Sequence, residues 1–442
     1  MMHDLLVQLK LQDKADYIGE PVSQLTHALQ SGDCARLAGT REPLVLAALL
    51  HDVGHWCSQS NENVTGLGVM NHDRIGAEYI RSIGLSDEVA KLVGLHVEAK
   101  RYLAYKNSKY AVKLSSASRK TLRMQGGPMN SAEAKLFEEN PLFREALILR
   151  AWDEAAKDTE VVSSPVESYQ AMIRRNHSHP LSDSDVAAWR DSGILHIKSW
   201  YDHREMSVIS SSADKMETWK EVPDRWMKYF EYSGEKKMLC RIENFLDYEP
   251  VLAEILEGSS TKALLRQLIG EEACLFKEKI NFKKAGARGF VAHQDAPAFD
   301  LFGLKFHVTV MLSIDETNMQ NGCLEFAKVK NSNEVLPMKS DLTLSDRVIP
   351  ESDWVPLETN AGDLVVFGSY LPHRSGINST NHSRRALYAT YNRFLDGKWR
   401  EQYFRKKREE FPPEIERRKG ANYGSGIFNL GNPIGAEGKG LR

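Results

Sequence analysis

The run PLVLAALLHDVGH, residues 43–55, decides how the first half of the chain is read. Its apolar stretch 43–50 shows no strict alternation and reads as a buried helix, and it ends directly on His51 and Asp52, so both side chains emerge at the end of a core helix. Outward from it, 86–95 (SDEVAKLVGL) and 143–156 (FREALILRAWDEAA) repeat apolar residues at intervals of three and four. Up to about residue 160 the chain is therefore expected to be all α. Residues 158–185 then collect Ser, Pro, His and Asp, a composition typical of a domain junction. The boundary is placed near 178, giving domains 1–178 and 179–442. Ser182, with Asp185 three residues on, predicts an N-capped helix. Beyond it the period switches to two in FHVTVMLSI (306–314), GCLEFAKV (322–329), DLVVFGSY (363–370) and ALYATYNRF (386–394), the pattern of an antiparallel sandwich or barrel. The second half is expected to be α+β around a β core. The charged run 398–419 reads as a solvated helix and the glycine-rich stretch from Gly420 as a flexible tail.

At roughly 150 residues per domain, 442 residues agree with two or three domains. Lys and Arg total 58 against 60 for Asp and Glu, so no global basic field exists to hold nucleic acid or an anionic membrane. No stretch approaches the ~18 apolar residues of a spanning helix, and the first twenty residues are charged throughout, without a signal-like apolar core. A cytoplasmic protein is expected. The five cysteines (Cys34, Cys57, Cys240, Cys274, Cys323) include no CxxC and read as structural or incidental.

Six residues of the first half carry metal-ligand chemistry: His27, His51, Asp52, His72, His96 and Asp153. Imidazole nitrogen with carboxylate oxygen suits iron, manganese or zinc, whereas magnesium and calcium sites are mostly oxygen. A lone histidine on an apolar helix is usually a satisfied core residue; the joint set is what points to metal. The ordered set resembles the di-metal branch of the HD-domain superfamily over residues 10–157. Most HD proteins are phosphohydrolases, but YIGEPVSQLTH (17–27), HDVGH (51–55) and HVEAKRYL (96–103) look like the mixed-valent di-iron oxygenases that cleave the carbon–phosphorus bond of 1-hydroxyphosphonates. That resemblance implies a di-iron Fe2+/Fe3+ cofactor. His27, His51, Asp52 and Asp153 would hold one iron, and His72 and His96 the second, with Asp52 bridging. It implies Tyr17 and Glu20 as a gate, His55 as a further catalytic group, and Lys100, Ser118 and Arg150 as the grip on the phosphonate, whose dianion needs cationic donors.

In the second half, FVAHQDAPAF places His293 and Asp295 two residues apart, on one side of an extended strand, and GDLVVFGSYLPHRSG ends on His373. Together they make a candidate 2-His-1-carboxylate triad, which leaves adjacent Fe2+ positions free for O2 and co-substrate. Arg384, eleven residues past His373, is placed to pair with the distal carboxylate of 2-oxoglutarate, with Arg385 the competing candidate. These residues resemble the phytanoyl-CoA dioxygenase family from about Leu181 through Asp396, and RIENFL (241–246) with KINFKKAGARGFVAHQD (279–295) looks most like its small-phosphonate hydroxylases. That family implies a double-stranded β-helix (jelly roll), Fe2+, 2-oxoglutarate and O2. Lys279 and Asn281 are candidate contacts for substrate or co-substrate. His307 and His382 lack a partner at the required spacing and are read as non-ligands.

The two resemblances fit in series, because hydroxylation at C1 makes the 1-hydroxyphosphonate that the first domain requires. The expectation is a bifunctional oxygenase acting on 2-aminoethylphosphonate. Its partner is a small-molecule phosphonate, not nucleic acid or membrane, and the sequence neither requires nor excludes a homo-oligomer. Alternatives are the same chemistry on the N-trimethylated phosphonate giving glycine betaine, an HD phosphohydrolase joined to an unrelated hydroxylase, and one half serving only as a scaffold.

Overall fold

Burial on every side makes the run at 43–50 a central helix, since all eight residues from Pro43 to Leu50 lie inside. The structure, a computed structural model, describes residues 2–15, 21–57, 63–64, 68–421, 423, 428 and 434. It divides into two units, Met1–Pro180 and Leu181–Arg442.

The first unit is helical, as expected, and builds its site from α1 (Gln24–Leu37), α2 (Glu42–Leu50), α3 (His72–Ser82), α4 (Asp87–Lys106), α5 (Ser116–Met124) and α6 (Phe143–Ala155). Ser23 and Ser86 start α1 and α4 by accepting hydrogen bonds from the Thr26 and Val89 amides. α4 continues well past residue 95, so His96 and Lys100, four apart, share a face. Leu46, Leu49, Ile80, Val93 and Leu149 close the core around α2, and each such side chain contributes roughly 1.5–3 kcal/mol on burial. That packing fixes the end of α2, and with it the direction of His51 and Asp52.

In the second unit Ser182 caps α7 (Asp183–Ser192) in a reciprocal capping box with Asp185. The strands are β1 (Ile194–Ile197), β2 (Met227–Ser233), β3 (Lys236–Glu243), β4 (Ala273–Lys283), β5 (Phe290–His293), β6 (His307–Ser313), β7 (Leu324–Ala327), β8 (Trp354–Leu357), β9 (Leu364–Gly368), β10 (His373–Ser375) and β11 (Arg384–Arg393). They form a seven-stranded sheet in the order β1-β9-β6-β11-β4-β3-β2 and a four-stranded sheet in the order β8-β7-β10-β5. Every pairing is antiparallel. Side chains of both sheets meet in one cluster, Met311, Val365 and Tyr388 against Leu324 and Phe326, while Ile280, Val308 and Leu387 on the other face of the large sheet pack against Ile209, Leu252 and Leu264 of helices. This is the expected jelly roll.

The charged run is a correction to the sequence reading. Its helix, α8 (Arg400–Glu410), buries Tyr403, Phe404 and Lys407, a stripe at three- and four-residue spacing that seats it on Tyr229, Phe276 and Phe299. Most of the glycine-rich tail lies outside the described residues; Phe428 and Ile434, which are described, are buried in that same aromatic cluster. Among the described residues no helix is long and apolar enough to cross a membrane.

Candidate metal centres

His51 and Asp52, at the end of α2, meet His27 of α1, His72 of α3, His96 of α4 and Asp153 of α6. Each of the four imidazoles gives Nδ1 to a main-chain carbonyl: His27 to Ala156 at 2.8 Å, His51 to Ala48 at 2.8 Å, His72 to Val69 at 3.3 Å and His96 to Val93 at 2.6 Å. A carbonyl can only accept, so Nδ1 carries the hydrogen and Nε2 presents a lone pair. His27 and His51 bring these Nε2 atoms within 3.0 Å of each other, and so do His72 and His96. Lone pairs at that separation repel unless a proton or a metal cation joins them. Asp52 divides its carboxylate between the two pairs: Oδ2 is 3.7 Å from His27 and 3.3 Å from His51, and Oδ1 is 3.5 Å from His72 and 3.7 Å from His96. Asp153 Oδ1, 3.5 Å from His27 and 3.8 Å from His51, is buried with no hydrogen-bond partner among the described residues. Facing lone pairs, a split carboxylate and an orphaned anionic oxygen fit two cations with Asp52 between them. Electrostatics favour positive charge at the first position. Burial alone would lower His51, but Asp52 and Asp153 outweigh it and hold the imidazole at about 9. At the second position burial takes His96 down to about 4.

His55 has the opposite tautomer. Its Nδ1 accepts from the Val69 amide at 3.1 Å, so Nε2 holds the hydrogen and, 3.8 Å from Asp52 Oδ1, turns a donor toward the site. Its ring stacks on His72 with centroids 3.9 Å apart. Lys100 is buried and donates to Thr121 Oγ1 at 3.2 Å; that hydroxyl donates to the Ser118 carbonyl at 3.1 Å. Thr121 thus links two sequence-predicted residues, and no motif pointed to it. Burial, then Arg150, brings the Lys100 ammonium down to about 7. Arg150 is engaged rather than open: its guanidinium binds Asp153 Oδ2, Glu154 Oε1 at 2.8 Å and the Tyr110 hydroxyl at 3.0 Å. It orients Asp153 so that Oδ1 faces the His27–His51 pair. Tyr17 and Glu20 lie outside the described residues.

Gly54 lets this centre form. A Cβ there would lie 1.9 Å from the His72 carbonyl oxygen and 2.9 Å from the Gly76 amide nitrogen, so the backbones of HDVGH and α3 touch. Gly54→Ala is expected to push α3, and His72 with it, away from Asp52. Metal analysis of the purified variant should show less bound metal per chain than in the unsubstituted protein.

In the second unit, β5 and β10 pair with His293 opposite His373, ring centroids 4.3 Å apart. Both give Nδ1 to a carbonyl two residues back, His293 to Val291 at 2.6 Å and His373 to Leu371 at 3.0 Å, again leaving Nε2 as a lone pair. Asp295 is a correction in geometry. The strand ends at His293, and Asp295 stands with right-handed helical angles at the head of the short helix Ala296–Phe299. Its carboxylate reaches within 4.0 Å of His293 Nε2 around a turn rather than along a strand. The three ligand atoms lie within 4.8 Å of one another. Burial takes His293 down to about 3, whereas Asp295, which burial alone would raise, is held below the ordinary carboxylate range by Lys277, His373 and Lys279. A neutral imidazole pair with an ionised carboxylate is a donor set that fits one divalent iron.

Residues 25–157 match the HD domain and residues 189–386 match Phytanoyl-CoA dioxygenase (PhyH). Over 250 residues the chain is 45% identical to the 2-aminoethylphosphonate dioxygenase of Uncultured bacterium HF130_AEPn_1, across 56% of this chain and 95% of that protein. The chain belongs to the PhyH family and also carries an HD domain. It is an enzyme, an oxygenase. It is also 31% identical over 231 residues to the methylphosphonate hydroxylase of Gimesia maris (strain ATCC 29201 / DSM 8797 / 534-30), covering 52% of this chain and 88% of that one. Over 161 residues it is 34% identical to the (1-hydroxy-2-(trimethylamino)ethyl)phosphonate dioxygenase (glycine-betaine-forming) of Leisingera caerulea, covering 36% of this chain and 82% of that one. The HD match begins at residue 25 rather than 10 and the PhyH match ends at 386 rather than 396, so Tyr17 and Glu20 precede the one and α8 follows the other.

Inside the PhyH domain, β4 carries Lys277, Lys279, Asn281 and Lys283 at alternate positions on the face toward the small sheet. Arg384 of β11 is buried, donates to the Gly322 carbonyl and to that of Asn321 at 3.4 Å, and lines a cavity with Lys283, Ser375 and Tyr388 beside the triad. Arg385, one residue on, faces the other way and is held by Asp315 at 2.8 and 2.7 Å. Strand parity therefore separates the two candidates. Lys279 and Asn281 both line the cavity. Lys283, Ser375 and Tyr388 were missed in the sequence; the available signal was KEKINFK (277–283), where a lysine or asparagine falls on every second position of a strand covered on both faces. His307 sits between Phe276 and Phe299, ring centroids 4.9 and 4.5 Å away.

Proposed function

We propose that the chain is a bifunctional oxygenase converting 2-aminoethylphosphonate to glycine and inorganic phosphate. The PhyH domain hydroxylates C1, consuming 2-oxoglutarate and O2 and releasing succinate and CO2. The HD domain cleaves the carbon–phosphorus bond of that 1-hydroxy compound with a second O2, giving glycine and phosphate. The observation that carries this reading is the similarity of one chain both to a 2-aminoethylphosphonate dioxygenase and to a dioxygenase of a trimethylated 1-hydroxyphosphonate, since hydroxylation at C1 would supply the hydroxyl that the second kind of substrate carries.

His293, Asp295 and His373 would hold Fe2+; His27, His51, Asp52 and Asp153 would hold one iron of a pair, and His72, His96 and bridging Asp52 the other. Bound iron supplies O2 activation and Lewis acidity. The chain's own groups bind and orient. Arg384, with Lys283, Ser375 and Tyr388, receives the distal carboxylate of 2-oxoglutarate. In the HD domain Lys100 Nζ and the His55 Nε2–H face the phosphonate, Thr121 holds Lys100 beside Ser118, and Arg150 keeps Asp153 Oδ1 turned inward. Tyr17 and Glu20 are proposed as the gate.

A second reading, the same two steps on the N-trimethylated phosphonate, is favoured by the name of the Leisingera caerulea relative. The rings near the triad weigh against it. Phe299 and Tyr403 lie 4.4 and 5.6 Å from Lys277, Phe428 lies 5.9 Å from Lys407, and Phe290 lies 5.5 Å from Arg241. The chain's own cations already face these rings, which a quaternary ammonium would need.

The test is phosphorus NMR of the iron-loaded protein with 2-aminoethylphosphonate, 2-oxoglutarate and O2. Inorganic phosphate should grow with one succinate and two O2 consumed per phosphate. Phosphate release from a phosphate monoester without O2 uptake would support the phosphohydrolase instead. Arg384→Met is expected to raise the KM for 2-oxoglutarate about 10- to 100-fold, the worth of a charge-assisted hydrogen bond. Arg385→Met should leave that KM within about twofold, because its carboxylate partners are Asp315 and Asp214.

A further inference from the structure

Two compartments meet at the triad of the PhyH domain. Both are walled by Lys279, Phe290, His293 and Asp295, and otherwise their walls differ. The first holds Arg384 and Lys283 and suits the dicarboxylate. The second is lined by Arg241, Lys277, Lys279 and Lys407, and Asp295 is the one carboxylate on its described wall. Arg241 and Lys407 are buried and converge on Glu243, Arg241 Nη1 at 3.1 Å and Lys407 Nζ at 2.5 Å. Arg241 also donates from Nε to Asn281 Oδ1 at 3.0 Å, which fixes its plane. Lys277 and Lys279 differ from these two, since neither ammonium has a hydrogen bond or ion pair among the described residues. Their neighbours are ring faces, Phe299 at 4.4 Å from Lys277 and Tyr388 at 5.1 Å from Lys279.

A purely structural ion network would pair its charges, because an unpaired cation in a closed pocket carries a desolvation cost with no return. Here four basic side chains, Arg241, Lys277, Lys279 and Lys407, line one cavity, Glu243 takes Arg241 and Lys407, and Lys277 and Lys279 are left without an ion pair among the described residues. We infer that this second compartment binds the phosphonate group of the PhyH domain's substrate, with Lys277 and Lys407 as its principal contacts and Arg241 as the fixed donor behind them. The inference rests on the reading of the substrate as a small phosphonate. A dianion placed there supplies the missing counter-charge and sits beside His293 and Asp295, which brings the adjacent carbon to the metal position. Lys407 and Phe428 extend the wall from beyond residue 386, where the match to the PhyH model ends.

The test is calorimetric binding of 2-aminoethylphosphonate to the Fe2+-loaded full chain under anaerobic conditions with saturating 2-oxoglutarate, with His51→Ala and Lys100→Met together as background so that the HD domain loses both its metal ligand and its proposed phosphonate contact. Lys277→Met is the cleanest variant, because no ion pair in the described structure is broken by it. It should weaken phosphonate binding at least about tenfold, the scale of a lost charge-assisted contact, and leave 2-oxoglutarate binding within about twofold. Lys407→Met should do the same and Lys407→Arg should restore most of the affinity, which separates a lost contact from a lost fold. Unchanged phosphonate affinity in Lys277→Met and in a folded Lys407→Met would overturn the assignment, as would a loss confined to 2-oxoglutarate. If the unsubstituted chain binds the phosphonate but forms no succinate from it, the proposed activity fails while the binding site stands. If turnover is normal and these variants bind normally, the site fails while the activity stands.

Discussion

His51→Ala is expected to yield a protein that hydroxylates 2-aminoethylphosphonate and stops there. The His51 Nε2 lone pair faces His27 at 3.0 Å and lies 3.3 Å from Asp52 Oδ2. Removing it leaves the first metal position with one imidazole and two carboxylates, Asp52 and Asp153, whose negative charges then lie close together in a buried pocket without their nitrogen partner. Substitutions that only orient a ligand typically cost 10- to 100-fold, so loss of a ligand itself should lower phosphate release by about a thousandfold or more. Iron content should fall by about one to two atoms per chain. Phosphorus NMR of the turnover mixture should show the 1-hydroxyphosphonate accumulating with an equal amount of succinate and no free phosphate. Phosphate released at the unsubstituted rate would exclude His51 from the metal centre. Arg150, which acts through Asp153, offers the graded comparison: Arg150→Met should lower phosphate release by about 10- to 100-fold while succinate formation is unaffected.

Much of this centre is legible in the sequence because its parts are local. An apolar run that permits only a buried helix ends on His51 and Asp52, and three of the four tautomers follow from a carbonyl three residues back: Ala48 for His51, Val69 for His72, Val93 for His96. The fourth does not, since His27 donates to Ala156, 129 residues away. Long-range features were lost in the same way elsewhere. The choice between Arg384 and Arg385 depends on which face of β11 meets the small sheet, and that is set by pairing Arg384 with Lys283 across to β4. Spacing gave Asp295 as a ligand but not its path, because a strand that ends at His293 cannot be told from one that continues. Charge density misled at the run 398–419, which looks solvated, yet Lys407 is buried against Glu243. In KEKINFK the sequence marks Lys279 and Asn281 as contacts but not Lys277 and Lys283, which face the same space between the sheets. A lysine in sequence reports its charge; only tertiary structure reports what that charge faces.

Substituting the β core separates the two steps in the opposite sense. His293→Ala should abolish succinate formation from 2-aminoethylphosphonate, a fall of about a thousandfold or more, while the 1-hydroxy compound supplied from outside is still converted to glycine and phosphate at the unsubstituted rate. The reason is geometric. His293 lies opposite His373 across the β5–β10 pair and 4.0 Å from the Asp295 carboxylate, so removing it leaves a single imidazole and a carboxylate that Lys277 and Lys279 can then neutralise as an ion pair. No residue of the HD centre is within its triad, and each unit has its own hydrophobic core, so the helical metal pair should keep its iron. Mixing His293→Ala with His51→Ala should restore the full conversion in trans, with a lag that shortens as protein concentration rises, because the hydroxylated intermediate must then pass through solution. Failure of the mixture, with each variant active in its own half-reaction, would mean that the intermediate does not leave the chain that makes it. Unchanged succinate formation in His293→Ala alone would remove the triad from the first step and with it the assignment of hydroxylation to the jelly roll.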